Sequence, residues 1–509
     1  MEFDKDLRSI QEVRDLVAKA QTAQAEFAGY SQEQVDRIVK AIAEACAAQA
    51  EPLAKMAVEE TGFGVWQDKV LKNLLGSTLT YESIKNMKTV GILREDPVNK
   101  VWEIAAPMGV VAALIPSTNP TSTVMYKTLI CVKSGNAIII SPHPGAKNAI
   151  LETFKIISQA AAAAGAPAGL IQCVTIPSQE GTAALLKHRG IGMILATGGE
   201  AMVRAAYSSG NPALGVGPGN GPSFIEKSAD IPTAVKHIFD SKTFDNGTIC
   251  ASEQSIIAER CIKEQVIAEV KKQGGYFMTP EESEKVGRFI MRANGTMNPK
   301  IVGRSAQVIA DMAGISIPQG TRVLLSFQTT VGKSNPYSRE KLCPILAFYV
   351  EENWEAACRR SIEILNNEGI GHTMSIHSQD MSVIREFALK KPVSRLLVNT
   401  IGSLAGTGAC SGLPPALTLG CGSVGGSATS DNIGPMNLIN IRRVAFGLKE
   451  LDELRGNNPR PEVPTVVPTP PRYGDAGCAP CAAPASAPGG LTAADIETIT
   501  RAVLAQLGR

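Results

Sequence analysis

Val110-Val-Ala-Ala-Leu-Ile115, Asn136-Ala-Ile-Ile-Ile140, Leu170-Ile-Gln-Cys-Val-Thr175 and Gly192-Met-Ile-Leu-Ala196 decide the fold. Each is an apolar run too short for a helix, in a region punctuated by Gly and Pro, and reads as a strand buried on both faces. Between them lie helical stretches at Ala146–Ala163, Glu180–His188 and Glu200–Ser208. Strand alternating with helix predicts an open parallel sheet covered on both faces. A second set begins near Cys250. It runs through Glu253-Gln-Ser-Ile-Ile-Ala258, a helix over Cys261–Gln273, Ala347-Phe-Tyr-Val350 and Arg395-Leu-Leu-Val-Asn399. Upstream, residues 1 to about 75 read as helical, with apolar residues recurring through Val35–Cys46 and Ser31 and Gln34 spaced as a capping box. Two β-rich pieces stand apart, Lys100-Val-Trp-Glu-Ile-Ala105 and Asn437-Leu-Ile-Asn-Ile-Arg-Arg-Val-Ala445; they could pair into a protruding flap.

Composition narrows the class. The 509 residues are 44% hydrophobic and 19% charged, with a formal net charge of +2. That balance gives no electrostatic footprint for nucleic acid, and no basic run marks a membrane surface. The longest apolar stretches, such as Met108–Pro116, fall well short of the roughly 18 residues a membrane span requires. Met1-Glu-Phe-Asp-Lys-Asp-Leu-Arg8 does not read as a secretory signal, so a soluble intracellular protein is expected. Eleven scattered cysteines, an odd number, do not suggest a disulfide framework. Cys478-Ala-Pro-Cys481 lacks a second ligand pair, and His372 and His377 have no cysteine or carboxylate arranged with them. No metal site is expected.

After about residue 457 the texture changes. Residues 457–490 are dense in Pro, Ala and Gly and read as a linker. Residues 491–509 follow with Ile496, Ile499, Val503, Leu504 and Leu507 on one helical face, behind Thr492 and Asp495 in the first turn. A single tethered amphipathic helix cannot bury that stripe alone, so it must dock on a partner.

The chemistry centres on Cys250, in Thr243-Phe-Asp-Asn-Gly-Thr-Ile-Cys-Ala-Ser-Glu253. A thiol among a glycine and small polar residues reads as accessible, and attack on a carbonyl needs an accessible, partly ionised thiolate. Ile194-Leu-Ala-Thr-Gly-Gly-Glu-Ala-Met202 is a strand end opening into a helix whose N-terminus can face a pyrophosphate. The glycine string from Gly215 to Gly221 does not have dinucleotide-fingerprint spacing and reads as a tight turn beside the thiol. Asn119, before Pro120, is in isolation a turn former.

Taken in order, Asn119 in Ile115-Pro-Ser-Thr-Asn-Pro120, Thr197-Gly-Gly199, Cys250 and Glu340-Lys-Leu-Cys-Pro344 resemble the aldehyde dehydrogenase superfamily. Phe244–Gln254, Glu368-Gly-Ile-Gly-His-Thr373 and Leu417-Thr-Leu-Gly-Cys-Gly-Ser-Val-Gly-Gly426 resemble its CoA-acylating acetaldehyde and propionaldehyde dehydrogenase branch. The likeness covers roughly residues 10 to 450. It implies an α/β fold of two doubly wound domains plus a small β oligomerisation flap. The dinucleotide-binding domain would span 1–245, with a flap segment near 98–108, and the catalytic domain 246–430, followed by the rest of the flap at 431–456.

The resemblance also implies roles. Cys250 is the nucleophile and Asn119 the oxyanion donor, with the Cys250 backbone N–H as companion. Thr197, Gly198, Gly199, Ile115, Pro116, Ser141, Pro142 and Gly217 contribute to the cofactor site, and Glu340 holds the nicotinamide ribose. Ser141 stands where the family has an adenosine-side lysine, which favours NAD over NADP. Hydrolytic members carry a glutamate base where this chain has Val216, and valine cannot take a proton from water. A CoA thiol ionises far more readily and needs no such base. His372 could help deprotonate that thiol, its ordinary pKa lying near working pH, or could be purely structural.

The expected activity is therefore oxidation of a short aliphatic aldehyde, propionaldehyde or acetaldehyde, with NAD and CoA. A hydrolytic or semialdehyde-specific enzyme, or a catalytically silent shell-binding scaffold, are the alternatives. The terminal helix resembles encapsulation peptides. That implies shell-protein partners through 491–509 and a place inside a bacterial microcompartment in the cytoplasm, as a dimer or tetramer.

Overall fold

The computed structural model describes residues 4–456, so the linker at 457–490 and the helix at 491–509 lie outside the described residues. The chain divides into two compact units, Met1–Leu448 and Lys449–Arg509. In the described part of the second, Leu451–Arg455 is helical.

The first unit opens with helices Lys5–Phe27, Gln32–Ala48, Ala50–Thr61 and Trp66–Leu74, as the apolar spacing predicts. The capping box forms: the Ser31 hydroxyl accepts the Gln34 N–H at 3.3 Å, and the Gln34 side chain accepts the Ser31 N–H at 2.8 Å. Helix Trp66–Leu74 passes directly into a π-helical turn, Leu75–Leu79. It buries Lys69, Lys72 and Asn73, which no apolar pattern foretells.

Fifteen strands follow: β1 (Ile92–Asp96), β2 (Val101–Pro107), β3 (Val110–Ile115), β4 (Ala137–Pro142), β5 (Ile171–Cys173), β6 (Met193–Thr197), β7 (Ala213–Val216), β8 (Gly221–Ile225), β9 (Glu253–Glu259), β10 (Gly275–Phe277), β11 (Val323–Phe327), β12 (Ile345–Glu351), β13 (Gly371–His377), β14 (Val393–Val398) and β15 (Ile439–Ala445). They form a five-stranded parallel sheet, β5-β4-β3-β6-β7, and a seven-stranded parallel sheet, β10-β11-β12-β9-β8-β13-β14. A three-stranded antiparallel sheet, β1-β2-β15, stands apart.

Burial follows the pleat. In the second sheet Phe224, Leu324 and Ala347 belong to one apolar cluster, while their chain neighbours Ile225, Leu325 and Phe348 belong to another. Successive residues point to opposite faces, so both faces are covered. The flap pairing anticipated from sequence is real, with Pro107 opposite Ile439 and Val101 opposite Ala445. The two parallel sheets change over between Val216 and Gly221, upstream of the domain boundary expected at 245.

In the five-stranded sheet the order reverses between β3 and β6, which are hydrogen-bonded neighbours although crossovers to β4 and β6 leave in opposite directions. Such a switch point opens a crevice beyond the strands' carboxyl ends. Here the segments leaving β3 and β6 are Pro116–Asn119 and Gly198–Gly199.

Candidate active site

A cavity of about 520 Å³ occupies that crevice. Asn119, Pro116, Thr197, Gly198, Gly199, Gly217, Cys250 and Glu340 all line it, so one space gathers most of the residues singled out from sequence. Ile115, Ser141 and Pro142 do not line it. They are buried at the ends of β3 and β4, with Leu114 opposite Ser141 and Ile115 opposite Pro142 in the ladder. His143, one residue beyond β4, faces the cavity instead.

Asn119 takes the N-cap position of helix Pro120–Lys133, where asparagine usually caps the helix with its side chain. It makes no such bond. Its Oδ1 accepts from Lys72 Nζ at 2.6 Å, and its Nδ2 donates to Thr118 Oγ1 at 3.2 Å. Lys72 Nζ also donates to the Asp245 carboxylate and, at 2.8 Å, to Thr248 Oγ1. Asp245 and Asn246 adopt left-handed φ values of 47° and 52°, which Asp and Asn tolerate better than most residues. A Cβ on Gly64 would lie 1.8 Å from Asp245 Oδ1, so glycine is required there. This polar cluster supports the turn that leads into Cys250. Sequence reasoning missed it; the available signal was a pair of lysines, Lys69 and Lys72, one turn apart.

Cys250 is half-buried, less open than its small neighbours suggested. Burial, and then the Glu340 carboxyl, push its thiol up to about 12. Without ligands the site favours the thiol over the partly ionised thiolate expected from sequence, because the cavity wall removes water and the Glu340 carboxyl outweighs the cation nearby. Arg395 opposes this shift without overcoming it. The Cys250 backbone is fixed by Gly219, where a Cβ would sit 1.9 Å from the Cys250 carbonyl oxygen. The glycine string is therefore a strand-to-strand link pressed against the nucleophile's backbone.

Glu340 is the one carboxylate lining the cavity among the described residues. Its Oε1 accepts the Gly219 N–H at 2.8 Å. Burial, then repulsion from Glu368, raise it to about 8. Val216 closes β7, is buried, and lines the same cavity as Cys250.

His372 sits in a setting that fits the structural reading better than the thiol-base one. It is fully buried at the start of β13 and does not line the cavity. Its Nδ1 pairs with Thr373 Oγ1 at 2.9 Å, and its Nε2 has no partner among the described residues. Burial, then the Arg395 charge, lower its pKa to about 3, so the ordinary imidazole value invoked for a thiol base does not hold.

A dinucleotide fits this setting. Helix Glu200–Tyr207 opens from Gly199, where an added Cβ would meet nothing, so its first-turn N–H groups can be approached closely. Among the described residues, no three His, Cys, Asp or Glu side chains are grouped as metal ligands, and no helix is long and apolar enough to cross a membrane.

The chain matches the model of the aldehyde dehydrogenase family over residues 7–412. It is 45% identical over 442 residues to a bifunctional aldehyde-alcohol dehydrogenase of Escherichia coli strain K12, which covers 86% of this chain and 50% of that protein. The chain thus spans about half the length of the first curated relatives it matches. Among solved structures, an acetylating aldehyde dehydrogenase from Geobacillus thermoglucosidasius is 51% identical, with a TM-score of 0.87 over 88% of this chain and 99% of that one. A propionaldehyde dehydrogenase from the Clostridium phytofermentans fucose utilisation bacterial microcompartment is 27% identical, with a TM-score of 0.78 over 85% and 97%. With a family match across most of its length and a fold shared with these structures, the chain belongs to the aldehyde dehydrogenase family.

Proposed function

We propose that this protein is a CoA-acylating aldehyde dehydrogenase that converts a short aliphatic aldehyde, propionaldehyde or acetaldehyde, with NAD and CoA to acyl-CoA and NADH. The observation that carries the reading is Val216 in the cavity of Cys250. Cys250 Sγ, as the minor thiolate form whose proton has gone to solvent, adds to the aldehyde carbon, and the carbonyl oxygen becomes an oxyanion. Asn119 Nδ2 and the Cys250 backbone N–H are its donors; loss of one such donor typically costs on the order of 3 kcal/mol. Thr197, Gly198 and Gly199 at the helix N-terminus and Glu340 at the ribose would hold NAD, which would supply the two-electron acceptor. The acyl group is then left on Cys250 as a thioester.

What resolves the thioester follows from the side chains around it. Val216 is apolar and cannot deprotonate water. Glu340 is assigned to the nicotinamide ribose instead, with its Oε1 accepting the Gly219 N–H. A CoA thiolate attacks the thioester carbon, and Cys250 leaves as the thiolate. The resemblance that sets Ser141 where the family has a lysine supports NAD as the dinucleotide, although Ser141 itself is buried outside the cavity. Likeness to the acetylating enzyme from Geobacillus thermoglucosidasius supports CoA as the acceptor, and likeness to the Clostridium phytofermentans protein supports enclosure in a microcompartment. We assign shell docking to residues 491–509 and assembly into a dimer or tetramer to the flap.

The test is NADH formation for a series of aldehydes with and without CoA, with product analysis. Acyl-CoA formed only with CoA is expected. Carboxylic acid formed equally fast without CoA overturns the reading.

A further inference from the structure

Lys72 is the buried cation nearest the proposed oxyanion donor, and no role has yet been given to it. It is 2% exposed, on the helix Trp66–Leu74, just before the chain enters its π-helical turn. An ammonium has three N–H donors and no acceptor. All three are used: on the Asn119 carboxamide oxygen, on Asp245, and on Thr248 Oγ1.

An asparagine side chain has two orientations related by a half-turn, one presenting its NH₂ to a given neighbour and the other its oxygen. Only the first stabilises an oxyanion; the second repels it. Thr118 Oγ1, which accepts from the Asn119 Nδ2, can donate or accept and so does not choose between them. Lys72 can only donate, so whatever faces it must be the oxygen. We infer that Lys72 is a positioning residue for the oxyanion site, locking the Asn119 carboxamide with its N–H groups directed away from the ammonium and available to the reacting oxygen.

Two further features fit. An amide whose oxygen accepts from a cation becomes a stronger donor at nitrogen. Thr248 ties the same ammonium to the turn two residues before Cys250. Lys72 thereby sets the amide relative to the thiol rather than alone.

This inference rests on the proposed role of Asn119, and a double-mutant cycle tests it. Lys72→Met is expected to lower kcat for aldehyde oxidation by about 100-fold, the size of losing one oxyanion donor, with the aldehyde KM within about threefold. In an Asn119→Ala background the same substitution is expected to lower kcat by less than about threefold, because no amide remains to orient. Alkylation of Cys250 by iodoacetamide, which forms no oxyanion, should change by less than about threefold in Lys72→Met. Equal losses in both backgrounds, or alkylation falling in parallel with kcat, overturn the inference. Lys72→Met leaves Asp245 with one cation, which can prevent folding. Lys72→Met/Asp245→Asn, compared with Asp245→Asn, then carries the same test. The oxyanion step precedes the choice between CoA and water, so a wild-type enzyme that makes carboxylic acid refutes the acyl-transfer reading while leaving the cycle interpretable.

Discussion

The ionisation of Cys250 gives the sharpest prediction. A thiol held at about 12 is only about one part in 10⁴ thiolate at pH 8. At the ordinary value of 9.0 the fraction would be about one in ten, so burial and Glu340 suppress the reactive form about a thousandfold. The perturbation is pH itself, applied to ligand-free enzyme. The raised value means that thiolate is lost as pH falls, so the rate of inactivation by iodoacetamide should climb about tenfold per pH unit from 7 to 10 without a plateau. Mass spectrometry of the alkylated Cys250 peptide keeps the other cysteines out of the measurement. Glu340→Gln removes the acidic neighbour and should raise the rate above about pH 8, where that carboxyl is ionised, while leaving it near wild type at pH 7. A plateau beginning below pH 9, or a rate at pH 7.5 matching free cysteine, would refute the reasoning, because some unrecognised cation would then be stabilising the thiolate.

Val216→Glu places a carboxylate in the thiol's cavity; it should raise the ratio of carboxylic acid to acyl-CoA at least tenfold, within the range a general base supplies. An unchanged ratio by product chromatography would separate Val216 from the thioester. Gly219→Ala drives a methyl into the Cys250 carbonyl, so kcat should fall more than 100-fold and the melting temperature should drop; wild-type kinetics would show that the backbone there can yield. Removing residues 491–509 should leave kcat/KM unchanged while abolishing co-localisation with shell proteins by fluorescence microscopy. A large loss of activity would instead join that helix to the enzyme core.

The parallel sheets were legible because their strands are continuous apolar runs, a pattern that burial on both faces produces. Strands β3, β4, β6, β9 and β12 begin or end within a few residues of those runs. Leu170–Thr175 shortens to β5, Ile171–Cys173, at the edge of its sheet, where ladder partners exist on one side only. Strand β1, Ile-Leu-Arg-Glu-Asp, went unread because it is short, mostly polar and only half-buried. In the site, Cys250, Asn119, Thr197 and Glu340 could be found from local motifs. The states of Cys250 and His372 could not, since their pKa values depend on what the fold packs around them. Lys72 was equally hidden: it reaches Asn119 from a helix 47 residues earlier in the chain, and nothing local in either segment announces the other.

The flap also imposes an order on synthesis. Strand β2 precedes both parallel sheets in the chain, yet its neighbour β15 follows them. A ribosome that has released residue 398 has delivered every strand of both parallel sheets, while β2 still has only β1 beside it. Its other edge then offers the open N–H and C=O groups of alternate residues along Val101–Pro107, a template for any passing strand, until Ile439–Ala445 emerges to cover it. Nascent chains paused in that interval are therefore expected to be more prone to aggregation than the finished chain.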